Sequence, residues 1–332
     1  MFDICNALYY SVCEYARQRD KSLLFCESQV LFLNTPEIFI RPVSHEDSDG
    51  IMQILTQSPW STQRFLPNEL SALIATRPGV IVYRKNNPYT AFLLCSSVVA
   101  PSAWIGGFGA EWGEHQRLEV YLQRSLAALY PMLRASGAEC LYYSGYDTEN
   151  DWLKGLLLKQ GFTMQSQLWS YDKYGVSIPA EGAQYVQVRP FQPETDMEAI
   201  CAVENAAFAP LWRHNAQEFT EIYQNNPFFV VAVDDDGVIL GYQYSDVEGS
   251  IGFLIRIGVH PALHSRGIGA RLMRAAIEFF ARAGAVRILL NTEEANAHAH
   301  RLYEWFGFRR VAPDGFVIAK PLTEESNSAS DL

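Results

Sequence analysis

The residues best suited by type and spacing to do chemistry lie between Ile255 and Gly269, in the run Ile-Arg-Ile-Gly-Val-His-Pro-Ala-Leu-His-Ser-Arg-Gly-Ile-Gly. An apolar strand stops at His260-Pro261, a short loop follows, and Gly267 and Gly269 open an amphipathic stretch that runs to Arg282. The first N–H groups of a helix lack partners within it, and the aligned peptide dipoles place about half a positive charge there. Glycine at that point lets an anion approach the backbone closely. The chemistry on offer is phosphate binding. A dinucleotide-binding turn needs a third glycine where this chain has Leu272, and a P-loop needs Gly-Lys before Ser or Thr where it has Gly269-Ala270-Arg271. Neither pattern fits, and a lone Gly-x-Gly is equally well explained by a loop that needs flexible φ.

The elements that would position this loop are legible. Phe253 to Val259 reads as a buried strand, 268–282 as a helix, 286–291 as a strand and 296–306 as a helix. Upstream come a strand at 186–190, helical stretches at 196–208 and 215–224, and strands at 228–233 and 238–245 joined by Asp234-Asp-Asp-Gly237. A final hairpin over 308–319 is expected to turn at Pro313-Asp-Gly315. The pattern predicts a mixed α/β layer with a mostly antiparallel sheet and one parallel crossover, 253–290.

This order has already occurred once in the chain. Phe39-Ile-Arg-Pro-Val43 is answered by Val186-Gln-Val-Arg-Pro190, with Arg41 and Arg189 148 apart. Gly137 and Gly284, each ahead of an apolar strand, are 147 apart, and Phe162 and Phe308, each after a glycine, are 146 apart. Three landmarks at nearly one offset predict a tandem duplication. The expected division is an extension at 1–37, a first domain at 38–174, a linker at 175–184, a second domain at 185–320 and a disordered tail at 321–332. Within the extension, Asn6 to Gln18 reads as a helix and Ser22 to Leu33 as strand.

A chain of 332 residues, 48% hydrophobic and 19% charged, suits two soluble domains. Its 26 basic and 37 acidic residues give −11, which speaks against a nucleic-acid or anionic-membrane partner and accords with an amine substrate. No apolar run is long enough to span a membrane, and no secretory signal opens the chain. Six cysteines without a C-x-x-C pair read as free thiols of a cytoplasmic protein. No metal is expected: His298 and His300 diverge on a helix, and His260 and His264 lack a third ligand.

Two motifs about 30 residues apart resemble those of the GNAT superfamily of N-acetyltransferases. The family's (Gln/Arg)-x-x-Gly-x-(Gly/Ala) falls on His264-Ser-Arg-Gly-Ile-Gly269, with His264 departing at the first position. Its asparagine, tyrosine and glycine-aromatic positions fall on Asn296-x-x-Ala299-x-x-x-Tyr303-x-x-x-Gly307-Phe308. The resemblance is to the tandem-repeat type and implies an α/β (α+β) fold of two GNAT-like domains, each with a mostly antiparallel sheet flanked by helices. The cofactor it implies is acetyl-CoA. Its pyrophosphate would be held by His264, Ser265, Arg266, Gly267, Ile268, Gly269 and Ala270, and its pantetheine arm by the backbone of Ile257 and Val259, where the sheet must open. Gly258 is the expected bulge at that opening. The Val259 N–H would polarise the acetyl carbonyl. Tyr303, a phenol protonated at neutral pH, would be the general acid for the departing thiolate. Asn296 would cap its helix and touch the cofactor.

The acceptor side is less defined. Asp246, Glu248, Glu204 and Glu293 are candidate bases, of which Glu248 is taken forward, and Phe208, Trp212 and Tyr223 are candidate substrate contacts. By the 147-residue offset the phosphate loop falls on Arg117-Leu-Glu-Val-Tyr-Leu122, which has no glycine and brings Glu119 to the anion seat, so the first domain is expected to keep the fold without the cofactor. The resulting expectation is acetyl transfer from acetyl-CoA to a small-molecule amine by the second domain. Acetylation of a protein or peptide, or a non-catalytic CoA-binding module, stays open. A monomer is expected, because a duplicated chain satisfies internally the contacts of a dimer, and a dimer is not excluded.

Overall fold

The computed structural model describes residues 37–147 and 151–322. The expectations for residues 1–36 and for the tail from 323 lie outside the described residues. The chain forms two compact units, one of which is Ser166–Phe316. The other takes the described residues through Gln165 and those from Val317.

The N-terminal unit runs β1 (Ile38–Pro42), α1 (Ser48–Gln57), β2 (Ser61–Gln63), α2 (Leu70–Thr76), β3 (Gly79–Arg84), β4 (Asn87–Val99), β5 (Ser102–Ala110), α3 (Leu118–Ala135), β6 (Cys140–Tyr146) and α4 (Trp152–Lys159). Its sheet is ordered β1-β3-β4-β5-β6, antiparallel except for β5 with β6. The C-terminal unit begins within β7 (Thr163–Tyr174). It continues through β8 (Gln187–Pro190), α5 (Pro193–Ala207), α6 (Ala216–Asn225), β9 (Phe228–Val233), β10 (Ile239–Glu248), β11 (Ile251–Val259), α7 (Ile268–Arg282), β12 (Arg287–Glu293), α8 (Ala297–Trp305) and the start of β13 (Arg309–Pro321). Its sheet is β8-β9-β10-β11-β12-β7, antiparallel except for β11 with β12.

The landmarks of the duplication become the same local structures. Arg41 grips Asp47 with two hydrogen bonds, and Arg189 grips Asp196 in the same way. Gly137 and Gly284 end matching helices at φ +79° and +78°, and Gly161 and Gly307 do so at +83° and +84°. That left-handed region is where glycine costs least.

Two features depart from expectation. The units do not end where the repeats end: β7 closes the sheet of the C-terminal unit, Leu168 to Tyr174 lying antiparallel to Glu293 to Arg287. Residues after Val317 belong with the first half, where the Leu322 N–H bonds Glu139 O at 2.8 Å. The second departure is the C-terminal hairpin. β13 is one continuous strand that carries Pro313-Asp-Gly315 within it, Asp314 pairing with Arg310 four residues back.

Helix α7 is positioned by its apolar stripe. Ile268, Leu272, Met273, Ala276, Ile277 and Phe280 are buried at helical spacing, while Arg271, Arg274 and Glu278 face outward. The stripe packs at one end on Val186, Val230, Ala232 and Leu240 and at the other on Leu254, Ile288, Leu290 and Phe306.

Candidate functional site

The site is built around a fork in the C-terminal sheet. Parallel pairing of β11 with β12 covers Ile251–Arg287, Gly252–Ile288 and Phe253–Leu289, and there it stops. Along β10, Tyr244 faces Arg256 and Ser245 faces Leu254, so Ile255 is an extra residue. The bulge at the fork is therefore Ile255 and not Gly258. A bulge increases local twist and re-aims the strand. Gly258 serves packing instead: a Cβ there would lie 2.8 Å from Tyr242 Cε1 and 3.1 Å from Phe208 Cε2.

Beyond the fork one edge of β11 is turned away from β10. The His260 N–H donates to Leu240 O across the β10 side. By the two-residue period of a strand, the amides of Ile257 and Val259 face the opposite side, where β12 has parted. The Val259 carbonyl on that side meets His264 Nε2 at 3.2 Å.

At the end of this edge lies the glycine loop. Ser265 and Gly267 both take positive φ, +62° and +81°, and Gly267 is the N-cap of α7 with no side-chain hydrogen bond to the cap. The helical ladder begins with Arg271 N–H to Gly267 O, so the amides of Ile268, Gly269 and Ala270 point out of the first turn. Left-handed residues followed by free helical amides form a concave anion seat. His264 contributes less than expected, because its N–H is spent on Pro261 O at 3.2 Å, and its imidazole lies 4.9 Å from that of His298.

The glycines have packing reasons as well. A Cβ on Gly269 would touch Leu302 Cδ2 of α8 at 3.3 Å, and one on Gly267 would come within 3.0 Å of Ala183 N. The latter shows what the sequence concealed. The segment read as a linker lies against the loop, with Ala183 N–H bonded to Gly267 O and Gly182, at φ +76°, so near that a Cβ would stand 2.4 Å from Arg271 N. The only hint in the sequence was Gly182 itself.

Helix α8 joins the loop to the fork. Asn296 caps it, its side chain accepting from Ala299 N–H at 3.1 Å. Tyr303 is buried in one cluster with Leu254 and Leu290, the first residues past the fork on each strand, and its ring meets Tyr171 edge-on. Burial pushes the Tyr171 phenol up, and its hydroxyl lies 2.8 Å from His300 Nδ1. Because His300 Nε2 faces Glu294 O at 2.9 Å, it carries the proton and Nδ1 accepts from Tyr171.

The face of β11 away from α7 carries an ion pair. Arg256 Nη2 lies 3.0 Å from Glu204 Oε1, with the Glu204 side chain fully buried. The same guanidinium meets His214 Nε2 at 2.9 Å, donates to the Trp212 carbonyl and lies 4.0 Å from the Phe208 ring centroid. Glu204 also accepts from the Tyr242 hydroxyl and from the His214 N–H. Phe208 and Trp212 are thus brought to the fork. Tyr223 is not: it is exposed and packs edge-on to Phe191.

Most candidate bases are displaced by this geometry. Glu204 is saturated by three donors. Glu248 is exposed at the hairpin end of β10 opposite Ile251, eight residues along β11 from Val259, about 26 Å at strand rise. Asp246, whose carboxyl burial pushes up, pairs with Phe253 below the fork. Glu293 stands past the fork without such saturation by donors, at the end of β12, accepting from Ser166 Oγ at 3.1 Å. Among the described residues no group of three or more His, Cys, Asp or Glu is placed to hold a metal ion, and no helix is long and apolar enough to cross a membrane.

Residues 197–308 match the acetyltransferase (GNAT) family. Among curated proteins, the chain is 29% identical over 205 residues to a mycothiol acetyltransferase of Stackebrandtia nassauensis, covering 57% of this chain and 66% of that one. It is 31% identical over 207 residues to that of Pseudarthrobacter chlorophenolicus, covering 54% and 62%. The chain thus spans a little under two thirds of these relatives. Among solved structures, a tandem GNAT protein from the clavulanic acid biosynthesis pathway superposes with a TM-score of 0.59 over 86% of this chain and 99% of that one, at 13% identity. A GCN5-related N-acetyltransferase from Sphaerobacter thermophilus gives 0.59 over 86% and 96%, at 16% identity. At such identities the likeness is one of fold.

Proposed function

With a GNAT acetyltransferase domain at residues 197–308 as the premise, we propose that the C-terminal unit transfers an acetyl group from acetyl-CoA to a small-molecule amine. The observation that carries this reading is the fork whose open edge ends in a glycine-lined anion seat. Residues present fit the cofactor. The amides of Ser265 to Ala270 would hold its pyrophosphate, and the edge amide of Ile257 would pair with its pantetheine arm. Bound acetyl-CoA supplies an activated thioester.

The chain's own groups account for the rest. The Val259 N–H is aimed to stabilise negative charge on the acetyl oxygen, a contribution of about 3–4 kcal/mol in comparable sites. Tyr303 would give its proton to the leaving sulfur, and the proton lost by the attacking amine would pass through water to restore the phenol. Phe208 and Trp212, fixed by Arg256, would wall the acceptor side. The relatives named for mycothiol acetylation point to a small acceptor, in keeping with the net charge of −11.

Calorimetry on the full chain tests the cofactor: one acetyl-CoA per chain is expected, bound about a thousandfold more weakly after Gly269→Glu. A screen of small amines that follows thiol release tests the reaction. No acetyl-CoA binding by the wild type would end the proposal, and binding without thiol release for any amine or peptide would reduce it to a CoA-binding module.

A further inference from the structure

In the N-terminal unit the same fork is made by β5 and β6. Ser102 pairs with Cys140, Ala103 with Leu141 and Trp104 with Tyr142, and pairing stops after three rungs as it does in the C-terminal unit. The register breaks at the same place: Leu94 faces Gly107 and Cys95 faces Ile105, skipping Gly106 at the place of Ile255, although here Ser97 facing Trp104 skips Ser96 and restores the register one pair later.

The open edge, however, is taken. β2 lies antiparallel along β5, with Ser61 opposite Gly109, Thr62 opposite Phe108 and Gln63 opposite Gly107. The Ala110 N–H donates to Trp60 O at 3.0 Å, and the Arg64 N–H donates to Gly106 O at 2.7 Å. Counted outward from the fork, Phe108 and Ala110 stand where Ile257 and Val259 stand. Glycines allow the approach: a Cβ on Gly107 would lie 3.0 Å from Thr62 O, and one on Gly109 would lie 2.9 Å from Ser61 Cβ. Arg64, itself buried, spans the fork. Its amide holds the β5 prong while its Nε donates to Ser144 O of β6 at 3.3 Å and its Nη2 to the Tyr143 hydroxyl at 3.1 Å.

The helix end is answered likewise. Arg117 is the N-cap of α3 where Gly267 is that of α7, an offset of 150 rather than 147. On that offset Glu119 stands where Gly269 stands, in the first turn of α3, and it is exposed and pairs with Lys159 at 2.9 Å. Three residues before the cap, where the other unit has His264, stands Glu114. It is buried, accepts from the Tyr121 hydroxyl and from Arg117 Nη1 at 3.1 Å, and pairs with Arg84 Nη2 at 2.7 Å.

We propose that the N-terminal fork is a strand-binding site filled in cis, in which the extended segment Trp60–Arg64 takes the edge that a pantetheine arm would take, and the carboxylates of Glu114 and Glu119 stand at the end where its phosphates would bind. Unpaired strand edges invite another strand, and here the chain supplies its own. The unit takes up no acyl-CoA, and its slot is selective for peptide backbone. The comparison rests on reading the C-terminal fork as an acyl-CoA site.

Amide hydrogen exchange on the full chain, with and without saturating coenzyme A, tests both forks at once. Phe108 and Ala110 should exchange about a hundredfold or more slowly than unstructured chain, with less than about a twofold change on adding coenzyme A. Ile257 and Val259 should exchange fast in the free protein and slow on addition. Cofactor-dependent slowing at Phe108 and Ala110, or unprotected exchange there, overturns the proposal. No response at Ile257 and Val259 overturns the C-terminal reading instead. Thr62→Pro, which deletes one rung donor, should speed exchange at Phe108 and Ala110 about tenfold or more, and unchanged exchange in that variant also counts against the plug. Should this variant fail to fold, the wild-type measurement still decides.

Discussion

The edge of β11 past Phe253 and the edge of β5 past Trp104 are the same structural position in two copies, and they differ in what lies against them. On β11 two amides face the gap left by β12; on β5 a strand of the chain fills it. The main features of the fork have survived in both, including a three-rung parallel ladder, a break of register two residues past the last rung and glycine-ended helices. The difference teaches that packing preserves a fold while a few residues at one edge set whether it has room for a ligand.

The comparison can be broken or sharpened by substitution. The largest effect is expected from Glu204→Ala, which leaves Arg256 buried without its carboxylate. It should cost about 3–5 kcal/mol in denaturant unfolding. Glu114→Gln in the N-terminal unit should cost only about 1–2 kcal/mol, since Arg84 and Arg117 are about a quarter exposed and can regain water. Equal losses would mean that the two buried carboxylates do equivalent structural work.

Next comes Gly269→Glu, which meets Leu302 and sets a like charge at the anion seat. Acetyl-CoA affinity should fall about a thousandfold, ~4 kcal/mol by calorimetry. Glu114→Gln should leave that affinity unchanged. Tyr303→Phe should lower turnover about a hundredfold with cofactor binding intact. Undiminished turnover would remove Tyr303 from the reaction.

A smaller effect joins the units through acid. The Arg189 hydrogen bonds hold the Asp196 carboxyl below its ordinary value. At Asp47 burial pushes upward, but Arg41 and Ser44 outweigh it and the net is again downward. A depressed carboxyl stabilises the fold above its unfolded value of about 4, and that contribution is lost as pH falls through the lower folded value. Thermal unfolding between about pH 5 and 2 should therefore decline less steeply in Asp47→Asn and in Asp196→Asn than in the wild type. The smallest effect is Glu248→Ala, for which turnover within about twofold of wild type is expected at a site so far from the fork.

How much of this could be read from the sequence differs by residue. Helix α7 was legible to the residue, because its apolar stripe and cap glycine are local signals. Asn296 was legible as a cap for the same reason. β2 was not: Ser61-Thr-Gln63 has neither length nor apolar alternation and is a strand only because the β5 edge makes it one. Glu114 was missed because the offset between repeats drifts from 146 to 150, and at 147 the place of His264 falls on Arg117 instead. Arg256 and Glu204 lie 52 positions apart and meet only through the sheet, so no spacing rule could join them.

The placement of β7 has a practical consequence for anyone who wishes to divide this protein. The Gly- and Pro-bearing stretch after Tyr174 invites a cut, and a fragment starting at Tyr185 would carry both motifs. It would also lack the strand that covers β12, stripping Arg287 of Asp172 and leaving Arg287 to Glu293 as a bare hydrogen-bonding edge. Such an edge recruits other chains. A fragment begun before Ser166 should remain soluble where one begun at Tyr185 aggregates, so the visible seam in the sequence is the wrong place to cut.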